Sequence, residues 1–325
     1  MKFYFFTSEL KNNSSVLLAF RRLFEICSND RDGSFFDSEF THYLKTRKLI
    51  KSKEITHVVV PTFFSVILLR CLLLGLKIKI VYWVQGDVPS ESFLKNSSKV
   101  RFYILKFLEL IALKMSDSCI YVSDYMKRYY DRLVFKKSVV LPCISTLKKV
   151  DSVVRRKSSY CYIGGMSEWQ KLDWMLQYMN SVFHIDNLAS LKIATRDKLK
   201  ATELVSHFID ERYFARVTVV SLSNENEVEE FLSGVEFGFL LREESNVNYV
   251  SSPIKLAEYL SCGVNVLLSP SIKSYAEVVS NYGAGCIINS YLDVKITPYC
   301  ESASLKLYGD FFSIQVLSQR VEALL

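Results

Sequence analysis

The chain reads as an α/β protein built on two doubly wound parallel sheets, and three features of its 325 residues carry that reading. Apolar runs of strand length alternate with longer amphipathic segments throughout, the pattern left by strands that cross through a helix and return parallel. Half of the residues are apolar and 14% aromatic, with only 11 Gly and 6 Pro, which supplies more than one core and excludes a disordered or collagen-like chain. Between residues 143 and 159 the periodicity dissolves into Ser, Thr, Lys, Arg and Asp, which marks a domain boundary. The division is therefore 1–150 and 151–302, with a last helix over 303–325 able to pack back across the boundary.

In the first half, the short apolar runs predict strands at 2–6, 56–60, 78–84, 118–122 and 138–141. Helical spacing places helices near 14–28, 63–74, 98–115 and 124–133, the last capped by Ser123, whose short side chain can accept a free first-turn amide. In the second half, strands are predicted at 160–164, 191–195, 217–221, 235–241, 264–268 and 286–288. Helices start at Gln170 and run near 201–209, 225–233, 254–261 and 274–280. Two facing Rossmann-like domains with a cleft between them are the architecture this order implies.

Charge is divided unevenly. Residues 1–150 carry 25 Lys/Arg against 13 Asp/Glu, or +12, and residues 151–325 carry 16 against 21, or −5, inside a total of +7. Such an asymmetry points the first half toward a polyanion or an anionic membrane surface. The longest apolar stretch, 58–84, is interrupted by Pro61, Arg70, Lys77 and Lys79, so no segment reads as a bilayer span. The N-terminus MKFYFFTSEL lacks the pattern of a secretory signal, and a cytosolic location is expected. The eight cysteines never form CxxC and sit mostly in apolar segments, as reduced core thiols do. The four histidines are scattered, which argues against zinc.

Two segments carry candidate chemistry. Gly164-Gly165 ends a strand and opens a helix, where backbone amides can approach a phosphate, and Trp169-Gln170-Lys171 follow at the place a ligand would occupy. The denser segment runs from Leu240 through Arg242 and Asn248 to Ser252, Pro253, Ile254, Lys255, Glu258 and Gly263. Ser252-Pro253 reads as a cap and first helical residue, so the helix amides and the Lys255 ammonium can meet a diphosphate together. Glu258, one turn after Lys255, can accept two hydrogen bonds from vicinal ribose hydroxyls. Taken singly, Ser-Pro is a helix start and Lys255–Glu258 a surface ion pair; Arg242 at a strand end and the Gly263 stop make the assembly more specific.

SPIKLAEYLSCGVNVLLSP resembles the nucleotide-sugar-binding segment of GT-B glycosyltransferases of family 4, and YIGGMSEWQKLDWML resembles their phosphate-binding strand, turn and helix. YWVQGDVPSES and SDSCIYVSDYMKRYY resemble their N-terminal domain, so the likeness touches most of the chain and is thin over the first 55 residues. The resemblance implies a retaining transfer of a sugar from a nucleoside diphosphate sugar, with no metal. It departs from the family at four places: Val250 stands where the first of two Glu is usual, Gly165 and Gln170 stand where Arg and Lys usually hold the diphosphate, and Gln85 stands where a His is frequent. The cations must then come from Arg242, Lys255, Lys171 and Arg196. Arg242, Lys255 and Gln85 are the candidate catalytic residues. Gly164, Gly165, Gln170, Lys171, Arg196, Asn248, Ser252, Pro253, Ile254 and Glu258 are the candidate donor-binding residues.

Asp30-Arg31-Asp32 is a literal DxD, but its setting between Ser28-Asn29 and Gly33-Ser34 reads as a solvated turn. The basic residues Lys95, Lys99, Arg101, Lys106, Lys127, Arg128, Arg132, Lys136 and Lys137 lie on or beside helices and suit anionic headgroups. The expected acceptor is a lipid-linked glycan in bacterial-type surface polysaccharide assembly, met at the cytoplasmic face of the plasma membrane. Nucleic acid is the disfavoured polyanion, because the aromatics follow core periodicity and no nucleic-acid-binding motif is present. The missing first Glu and the missing Arg–Lys pair keep open a catalytically silent nucleotide-sugar-binding subunit as the alternative, and a GT-B epimerase is a third, less favoured reading.

Overall fold

The computed structural model describes residues 2–6, 15–28, 35–37, 43–292, 294 and 298–324. The chain separates into two compact units. The first holds 1–144, 250–252 and 313–325, and the second holds 145–249 and 253–312.

The first unit follows the order β1 (Phe3–Phe6), α1 (Ser15–Ser28), β2 (Phe35–Asp37), α2 (Tyr43–Ser52), β3 (His57–Val60), α3 (Phe63–Leu72), β4 (Lys79–Val84), α4 (Val88–Asn96), α5 (Lys99–Met115), β5 (Ser118–Tyr121), α6 (Asp124–Asp131) and β6 (Ser138–Val140). All strands run parallel in the order β2-β1-β3-β4-β5-β6. Strands β1, β3 and β5 are buried on both faces, as expected of a parallel sheet covered by helices. Ser123 caps α6 as its sequence position predicts, accepting from the Met126 N–H at 3.1 Å. Elements β2, α2 and α4 are additional to those read from sequence. Strand β2 is only three residues long and α2 is dominated by Lys and Arg, so neither presents a clear apolar period. The Asp30-Arg31-Asp32 turn lies outside the described residues.

The second unit contains β7 (Ser159–Ile163), a 3₁₀ turn (Glu168–Gln170), α7 (Leu172–Ile185), β8 (Ser190–Ala194), α8 (Lys198–Phe208), a second 3₁₀ turn (Glu211–Arg216), β9 (Val217–Val220), α9 (Glu225–Ser233), β10 (Phe237–Leu240), α10 (Asn246–Val250), α11 (Ile254–Ser261), β11 (Asn265–Leu268), α12 (Ala276–Asn281), β12 (Gly285–Ile287) and α13 (Glu301–Phe312). Its parallel order is β12-β11-β10-β7-β8-β9. The order reverses between β7 and β10, and the carboxyl ends of the strands at such a reversal are where open α/β sheets bind ligands. Gly164 directly follows β7, and Arg242 lies two residues beyond β10.

The predicted helix over 303–325 is two helices. It breaks at Ser313, whose hydroxyl accepts from the Val316 N–H and starts α14 (Ile314–Val321). Helix α13 packs on α11 in the second unit, and α14 packs on α1 in the first. All eight cysteines are free, four of them buried. Among the described residues, no helix is long and apolar enough to cross a membrane.

Candidate functional site

The second unit's site begins with the way α11 is seated. Gly238 in β10 leaves room for the Tyr259 ring, since a Cβ there would lie 2.8 Å from a ring carbon. The Tyr259 hydroxyl donates to the Phe239 carbonyl and accepts from the Ile163 N–H, each at 3.3 Å. Tyr259 thus ties α11 to both strands that flank the topological reversal. Lys255, four residues earlier, shares that helix face and is carried to the end of β7.

There the Lys255 ammonium donates to Gln170 Oε1 at 2.8 Å and to the Tyr162 hydroxyl at 3.4 Å, and lies 4.5 Å from the centre of the Tyr162 ring. It sits so close to the glycine turn that a Cβ on Gly164 would fall 2.0 Å from Nζ, and Gly164 has φ of +146°. Only glycine meets both requirements. Tyr162 closes the arrangement, donating within a bond shared between the Gly165 carbonyl at 2.6 Å and Gln170 Oε1. Gln170 therefore stands where a cation is usual in the resembling family and serves as the acceptor for a cation arriving from α11.

Arg242 is the second cation, buried where Lys255 is half-buried. Its backbone is held by Ser269 Oγ, which accepts from its N–H at 2.9 Å, and by Ser271 Oγ, which donates to its carbonyl at 2.9 Å. Its guanidinium donates to the Leu241 carbonyl at 2.9 Å and lies 4.6 Å from the Trp169 ring centre. Burial, and then the neighbouring Arg242 charge, hold Lys255 far below its ordinary value, at about 7, against a smaller opposing effect of Glu258. Burial likewise lowers Arg242. The two cations thus feel each other's charge, and the hydrogen-bond partners given above are neutral.

Gly164 and Gly165 also line a cavity of about 410 Å³ within this unit, with Ile163, Ala194, Thr195, Arg196, Asp197, Leu222 and Val228. It opens at the carboxyl ends of β7 and β8, and its rim carries the exposed Arg196. Lys171 adopts a left-handed backbone (φ 51°) where the 3₁₀ turn meets α7. Asn248 Nδ2 donates to the Glu243 carbonyl at 2.9 Å and to Ser245 Oγ at 3.0 Å, so it braces the loop after β10.

The predicted cap requires correction. Pro253, not Ser252, occupies the position before α11, and no side chain caps that helix. The Ser252 hydroxyl instead accepts from the Cys143 N–H at 3.1 Å in the first unit. The backbone of 250–252 is bound there too, the Val250 carbonyl accepting from Ser123 Oγ at 2.7 Å. Ile254, Lys255 and Glu258 follow on α11 as the sequence predicts. Lys255 is not half of a surface ion pair, because its ammonium turns toward β7. Trp169, expected where a ligand would sit, lies against the Arg242 guanidinium, and Tyr162, Tyr259 and Gly238 complete the site without having been singled out as binding residues. The one sequence trace of them is the strand YCYIGG, whose second Tyr falls two residues before the glycine pair.

Gln85 belongs to the first unit, at the end of β4. It precedes Asp87, which caps α4 by accepting from the Ser90 N–H at 3.2 Å and the Ser90 hydroxyl at 2.6 Å. Of the basic residues expected to face headgroups, four bond within the unit: Lys106 pairs with Glu109 at 3.0 Å, Lys127 pairs with Asp131, Lys136 donates to the Lys114 and Ser116 carbonyls at 2.9 Å, and the exposed Arg101 donates through Nε to Ser92 Oγ at 2.8 Å. Lys95, Lys99, Arg101, Arg128, Arg132 and Lys137 are exposed. Among the described residues, no group of three His, Cys, Asp or Glu side chains is placed to hold a metal ion.

No protein-family model and no curated protein matches the chain. Solved structures do match. The lipopolysaccharide outer core galactosyltransferase WaaB, in its apo form, superposes with a TM-score of 0.72 over 100% of this chain and 99% of its own, at 11% identity. Anabaena HepE in complex with UDP-glucose gives 0.69 over 100% and 99%, at 12% identity. A glycosyltransferase from Rickettsia africae gives 0.67 over 99% and 97%, at 9% identity. With two parallel six-stranded α/β units in this order and matches spanning the whole chain, the protein has the GT-B glycosyltransferase fold.

Proposed function

We propose that this protein transfers a sugar from a nucleoside diphosphate sugar, with retention, to a lipid-linked glycan acceptor in the assembly of a bacterial-type surface polysaccharide, at the inner face of the plasma membrane. The observation that carries the donor part is the pair of cations beside the Gly164 turn, Arg242 buried and Lys255 half-buried. Withdrawing two mutually repelling cations from water is unfavourable unless an anion completes the site, and a diphosphate does so. The cavity beside the turn takes the nucleoside, and Glu258 on α11 accepts from the ribose hydroxyls. UDP and UDP-glucose bound to HepE, a protein of the same fold, support this choice of ligand class.

The chemistry follows from the charges. The bond from the anomeric carbon to the diphosphate oxygen breaks and the diphosphate leaves with the electron pair, while the acceptor oxygen bonds the same face of that carbon and passes its proton to the departing diphosphate oxygen. Arg242 and Lys255 offset the charge that grows on it, and preorganised cations in a water-poor site are effective at this. Gln170 and Tyr162 act by positioning Lys255. Gln85, in the first unit, is assigned to the acceptor side. The basic first unit supports a lipid-linked acceptor and peripheral attachment.

Val250 favours a second reading, a catalytically silent nucleotide-sugar-binding subunit. It stands where the resembling family carries a carboxylate, and it is wholly buried. One experiment separates the two: thermal shift and calorimetry with a panel of UDP-, GDP- and dTDP-sugars, then transfer assays with lipid-linked acceptors. Binding with transfer supports the enzyme, and binding without transfer to any acceptor supports the silent subunit. Glu258→Ala is expected to abolish donor binding, and an unchanged affinity would remove the site assignment.

A further inference from the structure

Helix α5 buries Ala112 and Leu113 near its end and, with them, a carboxylate, while an apolar row on its other side stays exposed. Its inward side carries Glu109, wholly buried, which accepts from Lys106 at 3.0 Å and from the Tyr130 hydroxyl at 2.9 Å. Lys106 also donates to the Tyr129 hydroxyl at 3.2 Å and lies 4.9 Å from the centres of both tyrosine rings. Its outward side carries Val100, Tyr103, Ile104 and Phe107, which are 71%, 69%, 55% and 63% exposed. These four follow the spacing i, i+3, i+4, i+7, so they form one stripe on one face. The expectation that the aromatics follow core periodicity does not hold on this helix.

The stripe continues onto α4. Phe93 and Leu94 are exposed, and Phe93 meets Phe102, which meets Tyr103, at ring separations of 6.0 and 5.4 Å. Exposed cations surround it: Lys95 and Lys99 about the turn between the helices, Arg101 on α5, and Lys114 near its end. The carboxylates of these two helices are withdrawn, Glu91 partly buried and Glu109 fully so. A contiguous apolar surface of this kind on a folded unit marks an interaction site, and its ring of cations selects the occupant. A second copy of the same face would set cation against cation across a two-fold axis. An anionic lipid surface matches both parts, with the apolar row entering the acyl boundary, Tyr103 at headgroup depth and the lysines and arginine on phosphates.

We propose that the outward face of α5, with Val100, Tyr103, Ile104 and Phe107 at its centre, inserts into the interface of an anionic membrane. This deepens the peripheral attachment proposed above, adding apolar insertion by a named helix face to surface charge. The test is co-sedimentation with phosphatidylcholine vesicles, with and without phosphatidylglycerol, across a salt series. Wild type is expected to bind the anionic vesicles and to keep part of that binding at high salt. The pair Ile104→Ser/Phe107→Ser is expected to bind about tenfold more weakly and to lose the salt-resistant part. Lys99→Ser/Arg101→Ser is expected to lose the salt-sensitive part. All four side chains are exposed, so unfolding temperatures should match wild type and UDP-sugar affinity should not change.

If the Ile104→Ser/Phe107→Ser protein binds vesicles as wild type does, or if phosphatidylglycerol makes no difference, the proposal fails. It fails equally if lipid-free wild type self-associates and that substitution pair abolishes the association. Vesicle binding by a protein that takes up no nucleotide sugar would sink the transferase reading and leave this one standing, and the reverse result would do the opposite.

Discussion

Each unit holds a half-buried lysine beside a tyrosine hydroxyl, and the two lysines are opposites. Lys106 in α5 faces a carboxylate. Burial alone would lower its value, but the Glu109 charge and hydrogen bond raise it above the ordinary lysine range, while burial pushes Glu109 up to about 7 against the pull of Lys106. Lys255 in α11 faces an amide and a phenol, with a guanidinium close by, and is held at about 7. The first arrangement is complete within the protein and works as structure. The second has no carboxylate among the hydrogen-bond partners of its ammonium given above and stands at a topological reversal beside a cavity, and this difference is what favours the donor site proposed there.

The comparison breaks most sharply on stability. Glu109→Ala leaves Lys106 without its carboxylate and is expected to cost about 3–5 kcal/mol in denaturant unfolding. Lys255→Met removes a cation that the fold disfavours and is expected to leave stability unchanged or to raise it by about 1 kcal/mol. A large loss in the second variant would mean that Lys255 is structural after all.

Catalysis gives the next largest effect. Arg242→Ala is expected to lower kcat about 100-fold, with a smaller change in donor affinity, because its charge matters most as the diphosphate leaves. Equal losses in kcat and affinity would reassign Arg242 to ground-state binding.

The pH dependence sharpens the contrast. The folded value of Lys255 lies below its ordinary 10.5, so the folded protein binds fewer protons than the unfolded chain between about pH 7 and 10.5. The cost of burying the ammonium is therefore fully present below pH 7 and disappears as pH rises toward 10.5. A bound diphosphate reverses the preference and draws a proton onto Lys255. Calorimetry near pH 7.5 in buffers of different ionisation enthalpy should show proton uptake on UDP binding, and Lys255→Met should abolish it.

Converting one site into the other is the smallest change. Gln170→Glu gives Lys255 the carboxylate that Lys106 already has, and should raise its value and weaken UDP-sugar binding about tenfold. Unchanged binding would show that the missing counter-charge is not what the donor supplies.

Much of this was legible in the residues, for reasons that differ from place to place. Helices α9 and α11 match their predicted limits because each has an apolar period with a clear stop, Gly234 or Cys262-Gly263. The places of the Gly164 turn, Arg242 and Lys255 were legible because a glycine pair closes one apolar run, Arg242 closes another and Lys255 opens the helix after Ser252-Pro253. The cap assignment of Ser252 went astray because a hydroxyl takes whichever N–H arrives first in space, and here that is Cys143, 109 positions away. The single long C-terminal helix was misread because Ser313 is an unremarkable helix residue in sequence, and only its bond to the Val316 N–H makes it a cap.

By itself, the sequence determined two α/β units, an uneven division of charge and a cluster of glycines and cations in the second half. All of these follow from local periodicity and composition, which act over a few residues. The tertiary structure alone decided that Lys255 turns inward onto Gln170 and Tyr162, and that the apolar stripe of α5 faces outward while its Glu109 and Lys106 face in. A helical period fixes which residues share a face. Which way that face points depends on partners brought together from distant parts of the chain, Tyr259 under Gly238 in one unit and Tyr130 against Glu109 in the other.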